Sequence, residues 1–197
     1  MFQILSRVAA VAGLVVVPLA LFSGTAEETK KSSAPARTPD CVYVGTPHDV
    51  IDEMVEQAAI KKGDLVYDLG CGDARILIAA AKRHGCRCVG YDINPVRIEE
   101  ATERIKKNNV AEFVKLEQED IFTLDLKDAD VIMLYLLPKM NEKLIPQLEK
   151  LKPGARIVTH DYSIKGIVHE KTLSVPSLED GVNHEIYVYK APLKKES

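Results

Sequence analysis

From residue 64 onward the chain alternates between two hydrophobic periods. Short apolar runs at residues 64–69, 87–93, 112–116, 129–136 and 155–160 are bounded by turn residues and predict strands. The run 129–136 is continuously apolar, the pattern of a strand covered on both faces. Between the runs, apolar side chains recur at helical spacing. Ile76, Leu77, Ala80 and Ala81 mark a helix over 73–84 that Gly85 closes. Ile98, Ala101 and Ile105 mark one from the Asn94-Pro95 cap to about residue 108. A third is expected over 138–151, where Pro146 should break or kink it. Ahead of the first strand, Thr46 is predicted to cap a helix, with Pro47 at its first position and Asp49 completing a capping box. Ile51, Met54, Val55 and Ala58 form its stripe, and Lys61-Lys62-Gly63 ends it.

Strand–helix alternation of this kind predicts a parallel sheet with helices on both faces, an α/β fold. After His160 the pattern changes. Residues 171–175 and 184–189 alternate as strands with no long helix between them, so the sheet should end in a hairpin-like antiparallel pair. No internal repeat is present.

The N-terminal 26 residues are different. One positive side chain precedes an almost wholly apolar stretch over 8–22, and Ser23-Gly24-Thr25-Ala26 follows. That is the layout of a signal peptide, cleaved after Ala26, or of an uncleaved membrane anchor. The corresponding location is secreted or periplasmic in the first case and membrane-anchored in the second. Residues 27–42 are polar with two prolines and read as a flexible linker, 43–192 as the domain, and 193–197 as a tail.

Chemistry concentrates at Asp68-Leu69-Gly70-Cys71-Gly72-Asp73-Ala74-Arg75, where a strand ends in an acid and a glycine turn leads into a helix. A dinucleotide fingerprint needs a small residue where Arg75 stands. Asp68, two residues before the first glycine, would face a pyrophosphate badly and suits a cationic ligand end. Asp92, followed by Ile93 at the next strand end, can accept hydrogen bonds from both hydroxyls of a ribose. Asp120 after the third strand can accept from an adenine amine, while Ile121 offers a backbone N–H and an apolar face. All three acids fall at strand C-terminal ends, where open α/β sheets bind ligands.

In that order these residues resemble the class I S-adenosylmethionine-dependent methyltransferases, whose glycine motif is D/E-x-G-x-G-x-G. The resemblance covers about residues 46–190. It implies a three-layer Rossmann-like sandwich with strand order 3-2-1-4-5-7-6, strand seven antiparallel, and S-adenosyl-L-methionine as cofactor. It places Asp68, Gly70, Cys71, Gly72, Asp92, Ile93, Asp120 and Ile121 at the cofactor. Ala74 replaces the third glycine of the motif, a small residue that should be tolerated. Tyr43 to Pro47 and Leu136 to Met140 are also similar to a small methyltransferase group that includes mitochondrial protein-lysine methyltransferases. That resemblance implies that Tyr43 and Thr46 help close the cofactor pocket.

Tyr135, Leu137 and Pro138 are the candidate acceptor residues, with His160 or Asp161 as a proton acceptor for a lysine nucleophile. Leu136-Leu137-Pro138 stands where N/D-P-P-Y/F would mark amide or nucleobase methylation. The methyl acceptor is expected to be a protein lysine or a small molecule. A non-catalytic nucleoside-binding module is the alternative.

The formal net charge of −3, the absence of Trp and 6% aromatic residues argue against a nucleic-acid partner. A membrane is expected to be met only through the N-terminal segment. His84, Cys86 and Cys88 lack a fourth ligand at usable spacing, so the cysteines read as small buried side chains and no metal site is expected. His48, His169 and His184 read as surface or capping residues.

Overall fold

A computed structural model describes residues 38–196. The expected signal or anchor segment, and the linker up to residue 37, lie outside the described residues. Among the described residues, no helix is long and apolar enough to cross a membrane.

The elements alternate as expected: α1 (His48–Gln57), β1 (Leu65–Leu69), α2 (Arg75–His84), β2 (Arg87–Tyr91), α3 (Pro95–Lys107), β3 (Val114–Glu117), β4 (Val131–Leu134), α4 (Pro138–Leu148), β5 (Arg156–His160), β6 (Lys171–Pro176) and β7 (Asn183–Lys190). The seven strands order as β3-β2-β1-β4-β5-β7-β6. Neighbours are parallel from β3 through β5, and β7 runs antiparallel to both β5 and β6.

Strand alternation splits the core into two layers. Val66, Met133, Val158 and Ile186 point to the side carrying α1 and α2, with Met54 and Leu77. Tyr67, Leu69, Ile132, Leu134, Ile157 and Tyr189 point to the other side, with Leu144 and Leu148 of α4. Central strands buried on both faces explain why β4 reads as an unbroken apolar run.

Four local expectations are corrected. Thr46 does not cap α1: the cap residue is Pro47, with no side-chain cap bond. The Thr46 side chain is instead buried, its hydroxyl 3.2 Å from Nδ1 of His160. Asp49 makes no capping box; its carboxylate accepts from Ser177 Oγ and Leu178 N and pins the β6–β7 connection to α1. The helix also ends earlier than Lys61, because Ala59 adopts φ +46. Pro146 does not break α4, which continues to Leu148; a proline so near the C-terminus costs only one backbone donor. Asn94 does cap α3, accepting from Val96 N at 3.0 Å with Pro95 at the first position.

Candidate functional site

The C-terminal ends of β1, β2 and β4 open into a cleft holding about 880 Å³ of empty space, part of it continuous with solvent. The turn after β1 forms its floor. Gly70 and Gly72 take φ of +81° and +52°, values that cost an ordinary residue strain. Space matters as much as φ. A Cβ on Gly70 would lie 2.9 Å from Leu136, and one on Gly72 would lie 2.2 Å from the Tyr43 ring. The turn is tied to β2 because the backbone N–H groups of Gly70 and Cys71 both donate to the Tyr91 carbonyl.

Ala74 is the surprise of this turn. It holds φ +62° while fully buried, so the helix begins at Arg75 and not at Asp73. The position has the backbone conformation of a glycine and carries a methyl group.

The acids differ in environment. Asp68, 2% exposed, has an Oδ2 with no hydrogen-bond partner. Burial first, then the carboxylates of Asp92 and Asp73, pushes its acid up to about 8. Asp92 accepts from Gly72 N at 3.0 Å and Asn94 N at 2.8 Å, so it braces the turn as well as facing the cleft. Asp120 caps a single 3₁₀ turn, Ile121–Thr123, accepting from Phe122 N. Ile93 and Ile121 supply apolar lining. Asp73 is bound by Arg75 at 2.9 Å and by Arg104. Burial works against its charge, but the Arg75 guanidinium, the Tyr43 hydroxyl and Arg104 together outweigh that and hold the acid below its usual range.

A strap of residues 41–46 crosses the front of the cleft. Arg75 anchors it by donating to the Thr46 carbonyl at 2.9 Å, and the Arg97 guanidinium lies 4.8 Å from the Tyr43 ring centre. Sequence reasoning treated Arg75 only as a break in a dinucleotide motif and missed this role.

At the far end, Tyr135, Leu136 and Met140 line the cleft. Leu137 and Pro138 sit at the exposed start of α4, outside the lining. His160 is fully buried and, like Asp161, lies behind Tyr135, whose hydroxyl is 3.3 Å from Asp161 Oδ2. The expectation that His184 is a surface or capping residue is corrected: it is buried, with Nδ1 2.9 Å from Nε2 of His160 and Nε2 3.0 Å from Asp180. The β5–β7 pairing sets His160 opposite Ile186, which brings His184 of the same face alongside. Burial pushes the His160 imidazolium down. Burial also opposes charge on His184, but its hydrogen bonds to Asp161 and Asp180 outweigh that and raise it. Cys86 and Cys88 pack as expected, buried with their sulfurs 3.6 Å apart.

A buried carboxylate oxygen without a partner, an acidic cleft and a cradle that a Cβ would fill all fit a cationic nucleoside ligand such as S-adenosylmethionine. Comparison with known proteins agrees. The ANTKMT methyltransferase domain family matches residues 68–171. A protein named protein-lysine N-methyltransferase from Saccharolobus islandicus is 43% identical over 154 residues, which is 77% of this chain and 94% of that one. A lysine N-methyltransferase of Rattus norvegicus, named for a subunit of ATP synthase, is 31% identical over 127 residues, 64% of this chain and 58% of that one. Among solved structures, an RNA methyltransferase from Salinibacter ruber in complex with S-adenosyl-L-homocysteine superposes with TM-score 0.70 at 38% identity. The match covers 78% of this chain and 97% of that one. These relatives set aside the non-catalytic module. The chain therefore belongs to the ANTKMT methyltransferase domain family and is a class I S-adenosylmethionine-dependent methyltransferase.

Proposed function

We propose that this methyltransferase modifies the side-chain amine of a lysine in a protein. The observation that carries the reading is the Saccharolobus protein-lysine N-methyltransferase, matched over 94% of its length. The shape of the acceptor end supports it. Tyr135 lines this end of the cleft, and its ring stacks on that of Tyr162, outside the lining, at an interplanar angle of 17° with centres 6.4 Å apart. An aromatic wall of this kind favours an alkyl-ammonium over a carboxylate or a hydroxyl.

In this reading Asp68 accepts from the ammonium of the methionine moiety, Asp92 from the ribose hydroxyls and Asp120 from the adenine amine. Ile93 and Ile121 flank the base, Gly70, Cys71 and Gly72 bring backbone close to the ligand, and Tyr43 covers it. Thr46 shapes the wall with its backbone, since its hydroxyl is turned to His160. Bound S-adenosylmethionine would supply an electrophilic methyl carbon on its sulfonium: an unprotonated lysine amine bonds to that carbon in line as the C–S bond breaks, the neutral thioether leaves as S-adenosylhomocysteine, and the methylated amine gives up its proton to solvent. Tyr135, held by Asp161, orients the incoming amine, and the exposed Leu137 and Pro138 meet the protein carrying it. His160 is a positioning residue, because it reaches the cleft only through other side chains.

The Salinibacter structure favours RNA as a second acceptor. The charge balance, 26 basic against 29 acidic side chains, opposes it. Incubating the protein with methyl-labelled cofactor and whole extract, then hydrolysing to amino acids and nucleosides, separates the two. Label in methyl-lysine is the expected result; label in nucleosides or in methyl-arginine overturns the lysine reading.

A further inference from the structure

His160, Asp161 and His184 form a cluster that cofactor binding does not use. Nε2 of His160, Nδ1 of His184 and Oδ2 of Asp161 make a triangle with sides of 2.9, 3.2 and 3.5 Å. Three potential ligand atoms thus lie within 3.5 Å of one another. A shared proton lies along one side of such a triangle and serves one pair. A divalent ion serves all three. Ligand atoms on a tetrahedral zinc with bonds of about 2.0–2.1 Å are about 3.3 Å apart, close to each side of the triangle. An ion roughly 0.9 Å off the plane would be about 2.0–2.1 Å from all three atoms.

The surroundings are those of a ligand set. The outer nitrogen of each histidine is already engaged: Nε2 of His184 with Asp180 at 3.0 Å, and Nδ1 of His160 with the Thr46 hydroxyl at 3.2 Å. Such contacts fix ring orientation in metal sites and raise ligand basicity. Asp161 is held too, accepting from Glu185 N at 3.1 Å and lying near the Tyr135 hydroxyl. Its backbone sits at φ +58°, a conformation that an aspartate adopts at a cost.

We propose that His160, Asp161 and His184 bind one divalent transition-metal ion of the zinc type, revising the sequence-based expectation of no metal site. Three protein ligands leave a fourth position for water. The ion would tie the end of β5 to β7 and, through Thr46, to the strap over the cofactor. It would also fix the carboxylate that holds Tyr135. The inference does not depend on which molecule accepts the methyl group.

The test uses the full-length protein stripped with a chelator and then titrated calorimetrically with zinc chloride, with cobalt(II) as an absorption probe. One equivalent should bind, and cobalt should give the intense visible bands of a tetrahedral site. His184→Ala and Asp161→Asn should each weaken zinc binding by on the order of a hundredfold or more, and Asp180→Asn by about 10–100-fold. Asp161→Asn keeps the size of the side chain, and circular dichroism checks that each variant is folded. A double Cys86→Ser, Cys88→Ser variant should bind as the parent does. No binding by the parent protein overturns the proposal, as does tight binding retained by either His184→Ala or Asp161→Asn. Loss confined to the cysteine double variant would place the ion elsewhere and overturn it equally.

Discussion

Replacing Asp68 by Asn keeps the outline of the side chain and removes the charge that its site opposes. The folded acid is pushed up to about 8 by burial and by the neighbouring carboxylates of Asp92 and Asp73. In the unfolded chain an aspartate titrates near 3.9. Below about pH 4 both states hold the proton; between about pH 4 and 8 only the folded state does. Each unit of rising pH in that window therefore removes roughly 1.4 kcal/mol of folding stability. By pH 7 the accumulated loss reaches about 4 kcal/mol at most. Asn carries no such loss. Without cofactor, Asp68→Asn should therefore be more stable than the parent at pH 7, and the gap should close towards pH 4. For a domain of this size the difference corresponds to a rise in Tm on the order of 10 °C. Cofactor binding should respond in the opposite sense. Losing a charged acceptor weakens it by about 1.5–3 kcal/mol, roughly 10–150-fold in Kd. Thermal melts from pH 4 to 8, with calorimetric titration of S-adenosylmethionine at pH 7, read both quantities. An unchanged or lower Tm at pH 7 without cofactor would refute the account of the buried charge, and undiminished affinity would remove Asp68 from the ammonium.

Three further outcomes are expected. Asp92→Ala should weaken cofactor binding by about 1–3 kcal/mol and more than Asp120→Asn does, because it also releases the N–H groups of Gly72 and Asn94; calorimetry showing the reverse order would assign the larger role to Asp120. Gly72→Ala drives a methyl into the Tyr43 ring and should raise Kd about tenfold or more, with much of the loss shared by a Tyr43→Ala, Gly72→Ala double variant; strictly additive losses would show that the clash is not the cause. Ala74→Gly relieves a left-handed backbone and should gain about 0.5–1 kcal/mol, a rise of roughly 1–4 °C in Tm, and a lower Tm would contradict the strain.

The fold was legible because its signals are local or periodic. Asn94-Pro95 predicted a cap and formed one, and the unbroken apolar run at β4 announced a strand covered on both sides. Thr46 misled for a physical reason. A threonine before Pro-His-Asp has every local feature of a cap, but its hydroxyl meets a histidine 114 positions away. His184 was missed in the same way, since its partners His160 and Asp161 become neighbours only when β7 turns back antiparallel beside β5. The signal available was parity: once that pairing is assumed, His184 falls on the same face as Ile186, opposite His160. The left-handed conformation of Ala74 left no trace in the residue itself, only in the third glycine of the motif that this turn resembles.

Strand β1 has consequences for how the protein reaches its native state. Its partners are β2, which follows closely, and β4, with Val66 opposite Val131. Asp68 comes from β1, whereas Tyr135 and Leu136 come from the end of β4. The cleft walls thus meet only when a long stretch of chain has closed into register, a slow, non-local event. S-adenosylmethionine consequently finds no complete site in a partly paired sheet. Saturating cofactor should slow unfolding and leave the refolding rate almost unchanged, so that the ligand acts as a latch on a finished sheet and not as a template for building it.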